Sequence, residues 1–255
     1  MIKTGLVSVT FRKLVPKDLI SLVRQVGLQG IEWGGDLHVP PGDTLKAREV
    51  YRMTADQGIT VAAYGSYYRI GCSENGIDDF KKTLDSAIAL KAPTIRVWAG
   101  NKGSKEADGA WWDRIVSESR NIADLAAEAG ISISYEYHHN TLTDSNQAAV
   151  RLLESVNHPN VYTYWQPLSE SDFDSRAEGL VKIKPKLTNL HVFHRSSDSR
   201  TPLKLGSGDW ARYFQTVCDE KIHYALIEFV LDDSEAQFQQ DAETLKELVS
   251  TMNCN

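Results

Sequence analysis

ISISYEYHHN, residues 131–140, is the stretch that decides how this chain is read. Ile131, Ile133 and Tyr135 alternate with polar residues, the period of 2 that sends successive side chains to opposite faces of a strand. Glu136, His138, His139 and Asn140 then crowd the point where the strand gives way to a loop. Three other stretches end in a similar way: VYTYWQP (161–167), LTNLHVFHR (187–195) and YALIEFV (224–230). Four apolar strands that finish in carboxylate, amide and imidazole groups predict one site built from strand ends.

Working outward, the same alternation of strand and helix fills the chain. TGLVSVT (4–10) is the first strand, followed by a helix over 16–26 with Leu19, Ile20, Leu22, Val23 and Val26 at helical spacing behind Pro16. GIEWG (30–34) leads to a helix over 43–57, and ITVAAYG (59–65) leads through the loop SYYRIGCSENG to a helix over 77–91. PTIRVWAG (93–100) precedes a helix over 110–129, which Gly130 breaks before ISISYEY. A fifth helix starts at Asp144 or Ser145, and NVYTYW (160–165) precedes a sixth over 172–184. LTNLHVF (187–193) and a long polar loop lead to a seventh over 209–220, and HYALIEFV (223–230) to an eighth from the Asp233-Ser234 cap to Thr251. Strand–helix units of this size make a parallel sheet with helical crossovers. Eight of them in 255 residues, with no linker or composition shift, predict α/β architecture closed as a single (β/α)8 TIM barrel, one domain over 1–255. No G-x-G-x-x-G opens the first helix and no P-loop occurs, so the open nucleotide-binding sheets lose their sequence support.

Composition narrows the function classes. The chain is 42% hydrophobic and 24% charged, with a net charge of −6 and no basic tract, which argues against a nucleic-acid partner. Cys72, Cys218 and Cys254 are odd in number and lack C-x-x-C spacing, as expected of reduced thiols. No apolar run reaches the roughly 18 residues of a membrane helix, and the N-terminus lacks a signal-peptide core, so the expectation is a cytoplasmic protein with no membrane partner.

In a (β/α)8 barrel the chemistry sits at the C-terminal strand ends. Those ends offer Glu32, Tyr64, Arg96, Trp98, Glu136, His138, Gln166, His191, His194 and Glu228. Glu136 and Glu228 lie in apolar strands, where a carboxylate needs a cationic partner. With few Lys or Arg residues at the strand ends, a divalent metal held by Glu136, Gln166, His191 and Glu228 would supply it, an N/O set suited to Mn²⁺, Mg²⁺, Co²⁺ or Zn²⁺. A metal-free hydrogen-bond network of Glu, His, Arg and Tyr satisfies the same residues equally well. Glu32 reads as a partner of Arg96 or Arg69, and His38 as a solvated loop residue. Trp33, Trp98, Trp165 and Tyr64 fit either a sugar-facing wall or core filling. Arg195, with Lys102, Lys105, Arg200 and Lys204, offers hydroxyl or phosphate contacts.

Six pieces in order, GIEWGGDLHVPPGD (30–43), SYEYHHNTLTDS (134–145), YWQP (164–167), NLHVFH (189–194), LGSGDW (205–210) and ALIEFVLDDS (225–234), carry a resemblance along the whole chain. It resembles the sugar phosphate isomerase/epimerase family of the xylose-isomerase-like TIM-barrel superfamily. The resemblance implies a small-molecule sugar substrate, a divalent metal, and double duty for Glu136 and Glu228 as metal ligands and acid/base pair, with His191 as the strand-seven ligand. The strand ends and the loop after strand seven put His138, Arg96, Trp98, Tyr64, His194 and Arg195 in the substrate pocket. The family's strand-six Asp is replaced here by Gln166, and its following His is unmatched at Leu168, Ser169 and Glu170, which weakens the expected metal binding. Two other readings remain open: a lyase or dehydratase using the same enediolate, and a non-catalytic sugar-binding barrel. Barrels of this kind are often dimers or tetramers, so a homo-oligomer stays open, with no interface legible in the sequence. An abasic-site endonuclease is excluded by the lack of a larger His/Asp/Glu cluster and of a DNA-binding surface.

Overall fold

The computed structural model describes residues 1–168, 172–196 and 199–252. Ser169 and Glu170, which follow the Gln166 segment, lie outside that set, as does Cys254. Of the other cysteines, Cys72 is a free thiol, whereas Cys218 is disulfide-bonded, a departure from the reduced thiols expected.

Eight parallel strands close into a barrel: β1 (Ile2–Val7), β2 (Gly30–Gly34), β3 (Thr60–Arg69), β4 (Thr94–Trp98), β5 (Ser132–Tyr135), β6 (Val161–Trp165), β7 (Leu187–Val192) and β10 (His223–Ile227). β1 closes the ring by pairing with both β2 and β10. Between β7 and the next helix, two short strands, β8 (His194–Ser196) and β9 (Ser199–Thr201), form an antiparallel hairpin where only a polar loop was expected.

The helices are α1 (Pro16–Val26), α2 (Thr44–Asp56), α3 (Ile77–Leu90), α4 (Gly109–Glu128), α5 (Asn146–Val156), α6 (Phe173–Ile183), α7 (Ser207–Val217) and α8 (Glu235–Ser250). Their starts follow from chemistry visible in the sequence. Asp43, Asp108, Ser145, Asp172 and Ser234 each accept a backbone N–H of the first turn, and Pro16 opens α1 where no N–H is needed.

Two apolar layers result. The larger fills the space between barrel and helices with residues such as Trp33, Tyr64, Ile95, Val97, Ile133 and Trp165. A smaller cluster of Val7, Val9, Ala63, Tyr164, Tyr224 and Leu226 plugs the barrel. The polar ends of the strands therefore sit above a largely apolar floor.

β3 departs from the expected pattern twice. Ile31 pairs with Val61 but Glu32 pairs with Ala63, so Ala62 is one residue extra, and Tyr64 falls beside Trp33. The register shifts again between Gly65 and Arg69, within the segment expected to be a loop. A bulge of this kind re-aims the side chains that follow it. Tyr64 is thereby turned into the layer under the helices, while Tyr67 comes to the rim.

Candidate active site

Barrel strands present alternate residues inward, and at the C-terminal rim these rows converge. Arg96 and Trp98 follow from β4, Glu136 and His138 from just beyond β5, Gln166 from beyond β6, His191 from β7 and Glu228 from beyond β10. Glu32, Arg96, Glu136, His191 and Glu228 are all buried. A cavity of about 260 Å³ opens above them, lined by Arg96, Trp98, Glu136, His138, Gln166 and Glu228, with Tyr67, Phe193, Arg195 and Phe229 around its sides.

The centre of the arrangement is His191. Its Nδ1 faces three oxygens: Gln166 Oε1 at 3.1 Å, Glu228 Oε2 at 3.3 Å and Glu136 Oε1 at 3.6 Å. Gln166 is held in this sense by its own Nε2, which donates to the Tyr137 carbonyl oxygen at 2.7 Å. The Tyr164 ring supports His191 edge-on at 5.0 Å.

Glu136 and Glu228 differ in how they are held. Glu136 Oε2 accepts from both Arg96 Nη1 and Trp98 Nε1. Burial alone would raise the pKa of Glu136, but Arg96 and His191 outweigh it and bring it down to about 2. Burial would likewise hold His191 neutral, yet the charges of Glu228 and Glu32 raise its pKa well above that of a free imidazole. Among the described residues, Glu228 has His191 as its ion-pair partner and no Arg or Lys within salt-bridge distance. The expected shortage of strand-end cations is thus met in part by Arg96, which binds Glu136 and, at 2.7 Å from Nε, Glu32.

Glu136, His191 and Glu228 each present one ligand atom, and these atoms lie within 4.8 Å of one another, close enough to share a metal ion. The donors suit one: two carboxylate oxygens and an imidazole nitrogen, with the Gln166 carbonyl oxygen on the same side, form a hard N/O set. Charge points the same way, because three buried carboxylates, Glu32, Glu136 and Glu228, face one guanidinium and one imidazole. A divalent ion replacing the His191 proton would leave this set neutral.

Of the residues expected around the substrate, Arg96, Trp98, His138 and Arg195 line this cavity and Tyr64 and His194 do not. The Tyr64 hydroxyl donates to the Val39 carbonyl oxygen at 2.7 Å, on the helix side of the barrel. His194 belongs to the β8–β9 hairpin, with Nδ1 2.6 Å from Thr201 Oγ1, and faces a neighbouring cavity with Trp210 and Tyr213. His38 is no solvated loop residue: it is buried, with its ring nitrogens on Ser8 Oγ and the Leu14 carbonyl oxygen. Arg200 is paired with Asp233, and Lys102 lies over the Trp111 ring. Sequence reading missed Tyr67, Phe193 and Phe229 as lining residues. Phe229 immediately follows Glu228 and has a φ of 61°, a conformation rare for an aromatic residue and frequent at functional sites.

A parallel barrel with a buried Glu–His–Glu group at its C-terminal rim defines the class: a barrel whose rim offers a ligand set that could hold a metal ion, beside a cavity. The family profile described as xylose isomerase-like TIM barrel matches residues 20–248, and the chain belongs to that family. A 3-dehydroshikimate dehydratase of Bacillus anthracis is 29% identical over 210 residues, 76% of this chain and 72% of that protein. The crystal structure of the probable 3-DHS dehydratase AsbF, involved in petrobactin synthesis in Bacillus anthracis, superposes with a TM-score of 0.80 at 20% identity, covering 96% of this chain and 99% of that one. D-Psicose 3-epimerase from Clostridium cellulolyticum H10, crystallised with D-tagatose, gives 0.73 at 15% identity over 99% and 100% of the two chains. A xylose isomerase-like barrel protein of Mycobacterium smegmatis, in complex with magnesium, gives 0.72 at 17% identity over 97% of each. At these identities the superpositions establish the fold. No helix among the described residues is long and apolar enough to cross a membrane.

Proposed function

We propose that this chain is a metal-assisted lyase that removes water from a polyhydroxylated carbonyl compound, starting with proton abstraction next to the carbonyl. The observation that carries this reading is the inequality of the two carboxylates. Epimerisation by a carboxylate pair needs both to take and return protons. Glu136 already accepts two hydrogen bonds on Oε2, from Arg96 and Trp98, so protonating that oxygen means breaking both. This supports Glu136 as a fixed anion and ligand, and Glu228 as the group that takes the proton. A dehydration needs one such base and one acid for the departing hydroxyl. His138 lines the same cavity, and its Nδ1 donates to the His139 carbonyl oxygen at 2.7 Å, leaving Nε2 to exchange the proton.

In this scheme Glu228 removes the proton, the electron pair forms the new C=C bond by way of the enolate, and the hydroxyl leaves as water with a proton from His138. Arg96, held between Glu32 and Glu136, keeps the anionic floor in place, and Tyr67, Trp98, Phe193 and Phe229 offer apolar walls to a ring. A divalent metal held by Glu136, His191, Glu228 and Gln166 would stabilise the oxyanion that develops on the carbonyl oxygen. The named dehydratase relative makes 3-dehydroshikimate the first compound to test.

An isomerase or epimerase acting on a sugar is the second reading. It is favoured by Glu136 Oε1, the oxygen to which neither Arg96 nor Trp98 donates, which leaves Glu136 one oxygen to carry a proton. Product analysis by NMR in D₂O, with 3-dehydroshikimate and with D-psicose and D-tagatose, separates the two. Loss of a hydroxyl group supports the lyase, and deuterium incorporation with every hydroxyl retained sinks it in favour of the epimerase. Glu228→Gln is expected to lower kcat by about 10²–10⁴-fold, the usual cost of losing a general base.

A further inference from the structure

Glu32 plays no part in the proton transfers above, yet it is a fully buried carboxylate on β2. A buried charge of this kind needs partners, and its two oxygens are divided between two. Oε1 accepts from Arg96 Nε at 2.7 Å, and Oε2 lies 3.4 Å from His191 Nε2. From there Arg96 reaches Glu136 through Nη1, and His191 reaches Glu228 and Gln166 through Nδ1. All three residues of the Glu–His–Glu group are therefore held, His191 directly and Glu136 and Glu228 through one intermediary each, by the same carboxylate.

We propose that Glu32 is the positioning residue of the site: it fixes the His191 ring so that Nδ1 is the metal-binding nitrogen, and it holds Arg96 against Glu136. This rests on the reading of Glu136, His191 and Glu228 as metal ligands. In a neutral His191 one ring nitrogen carries hydrogen and the other a lone pair. With the hydrogen on Nε2 it points to Glu32, and the lone pair of Nδ1 points among the oxygens of Gln166, Glu228 and Glu136. The other tautomer would set a lone pair against the Glu32 carboxylate and close the ligand position with a hydrogen. A carboxylate behind the ring also makes the imidazole a better donor to a cation. The backbone makes room for the arrangement. A Cβ at Gly65 would stand 2.6 Å from Glu32 Oε1 and 3.0 Å from Arg96 Nη2, so any larger residue there would push on the pair.

Calorimetric titration of the metal-stripped chain with Mn²⁺ tests the proposal, using wild type, Glu32→Gln and Gly65→Ala. Glu32→Gln keeps the volume but has one carbonyl oxygen for two donors, and Mn²⁺ affinity is expected to fall about 10–100-fold. Gly65→Ala leaves every charge in place, only crowds Glu32, and is expected to weaken Mn²⁺ in the same direction, which keeps the test alive if the first variant does not fold. A spectroscopic readout separates positioning from general loosening. In the Zn²⁺-loaded wild type, ¹⁵N-labelled His191 is expected to show Nδ1 bound and a slowly exchanging Nε2–H, with that exchange accelerated in Glu32→Gln. Wild type that binds Mn²⁺, alongside folded variants that bind it within twofold, overturns the role of Glu32 alone. Wild type that binds no Mn²⁺ overturns the metal site itself, and this proposal with it.

Discussion

At the scale of single residues, the site turns on what each carboxylate oxygen is already doing. Glu136 shares the strand-end position of Glu228 but not its freedom, because Arg96 and Trp98 both donate to Oε2. Trp98 is held in turn: its ring stacks under Arg69 at 3.9 Å and meets His138 at 4.8 Å. Trp98→Phe keeps an aromatic face for both neighbours and removes only the Nε1 donor. A hydrogen bond to a charged group contributes about 1.5–3 kcal/mol, so kcat is expected to fall about 10-fold or more, with a smaller change in KM. Steady-state kinetics on the variant check this, and an unchanged kcat means the indole does not hold Glu136 in place. These distinctions were only half visible in the chain. Glu136, His191 and Glu228 could be picked out because a charge inside an apolar alternating run is conspicuous. That Glu136 is bound twice and Glu228 is not depends on the approach of β4 to β5, which a one-dimensional pattern does not contain.

The elements were legible wherever period and caps agreed, as in α2, α4, α5, α6 and α8, each opened by an Asp or Ser that accepts a first-turn N–H. β3 was not. One extra residue at Ala62 inverts the inward and outward rows after it, so Tyr64 lies under the helices and Tyr67 takes the rim position. A bulge has no signature in an alternation that reads equally well with or without it. The β8–β9 hairpin escaped for a related reason, since three-residue strands are too short to show a period. β1 shows the opposite case, where one glycine sets the approach of its neighbours. A Cβ on Gly5 would stand 2.5 Å from the Gly30 carbonyl oxygen and 2.6 Å from Leu226 Cδ2. The first of these is backbone of the paired strand β2, which cannot swing aside as a side-chain end can. Gly5→Ala is therefore expected to cost about 1–3 kcal/mol, the usual penalty for overpacking a filled interior. Chemical denaturation should show the midpoint falling with an unchanged m-value, and a midpoint equal to wild type means β1 and β2 separate more easily than their register implies.

For the whole molecule, eight strand–helix repeats allow ring closure, and ring closure brings distant residues of the sequence to one point. Glu32 and His191 are 159 positions apart in the chain and meet across the barrel mouth. Their convergence creates an electrostatic problem larger than any pair. Glu32, Glu136 and Glu228 are buried together against Arg96 and His191, so even with His191 protonated one negative charge is left over. A divalent cation bound in place of that proton removes the excess, and a ligand that binds only the folded chain stabilises it by mass action. At a free metal concentration about 100 times Kd this amounts to about 2.7 kcal/mol. In a barrel of this size each kcal/mol moves the unfolding midpoint by roughly 2–4 °C, so Mn²⁺ is expected to raise Tm by about 5–10 °C over the chelated protein. Glu228→Gln should abolish most of that rise while leaving the metal-free Tm equal or higher, because a buried, incompletely paired charge has been removed. Thermal unfolding with EDTA and with Mn²⁺, Mg²⁺, Co²⁺ or Zn²⁺ in excess reads both effects. If none of the four ions moves the wild-type Tm, the surplus charge is balanced within the protein, and the Glu–His–Glu group is a hydrogen-bonded network and not a metal centre.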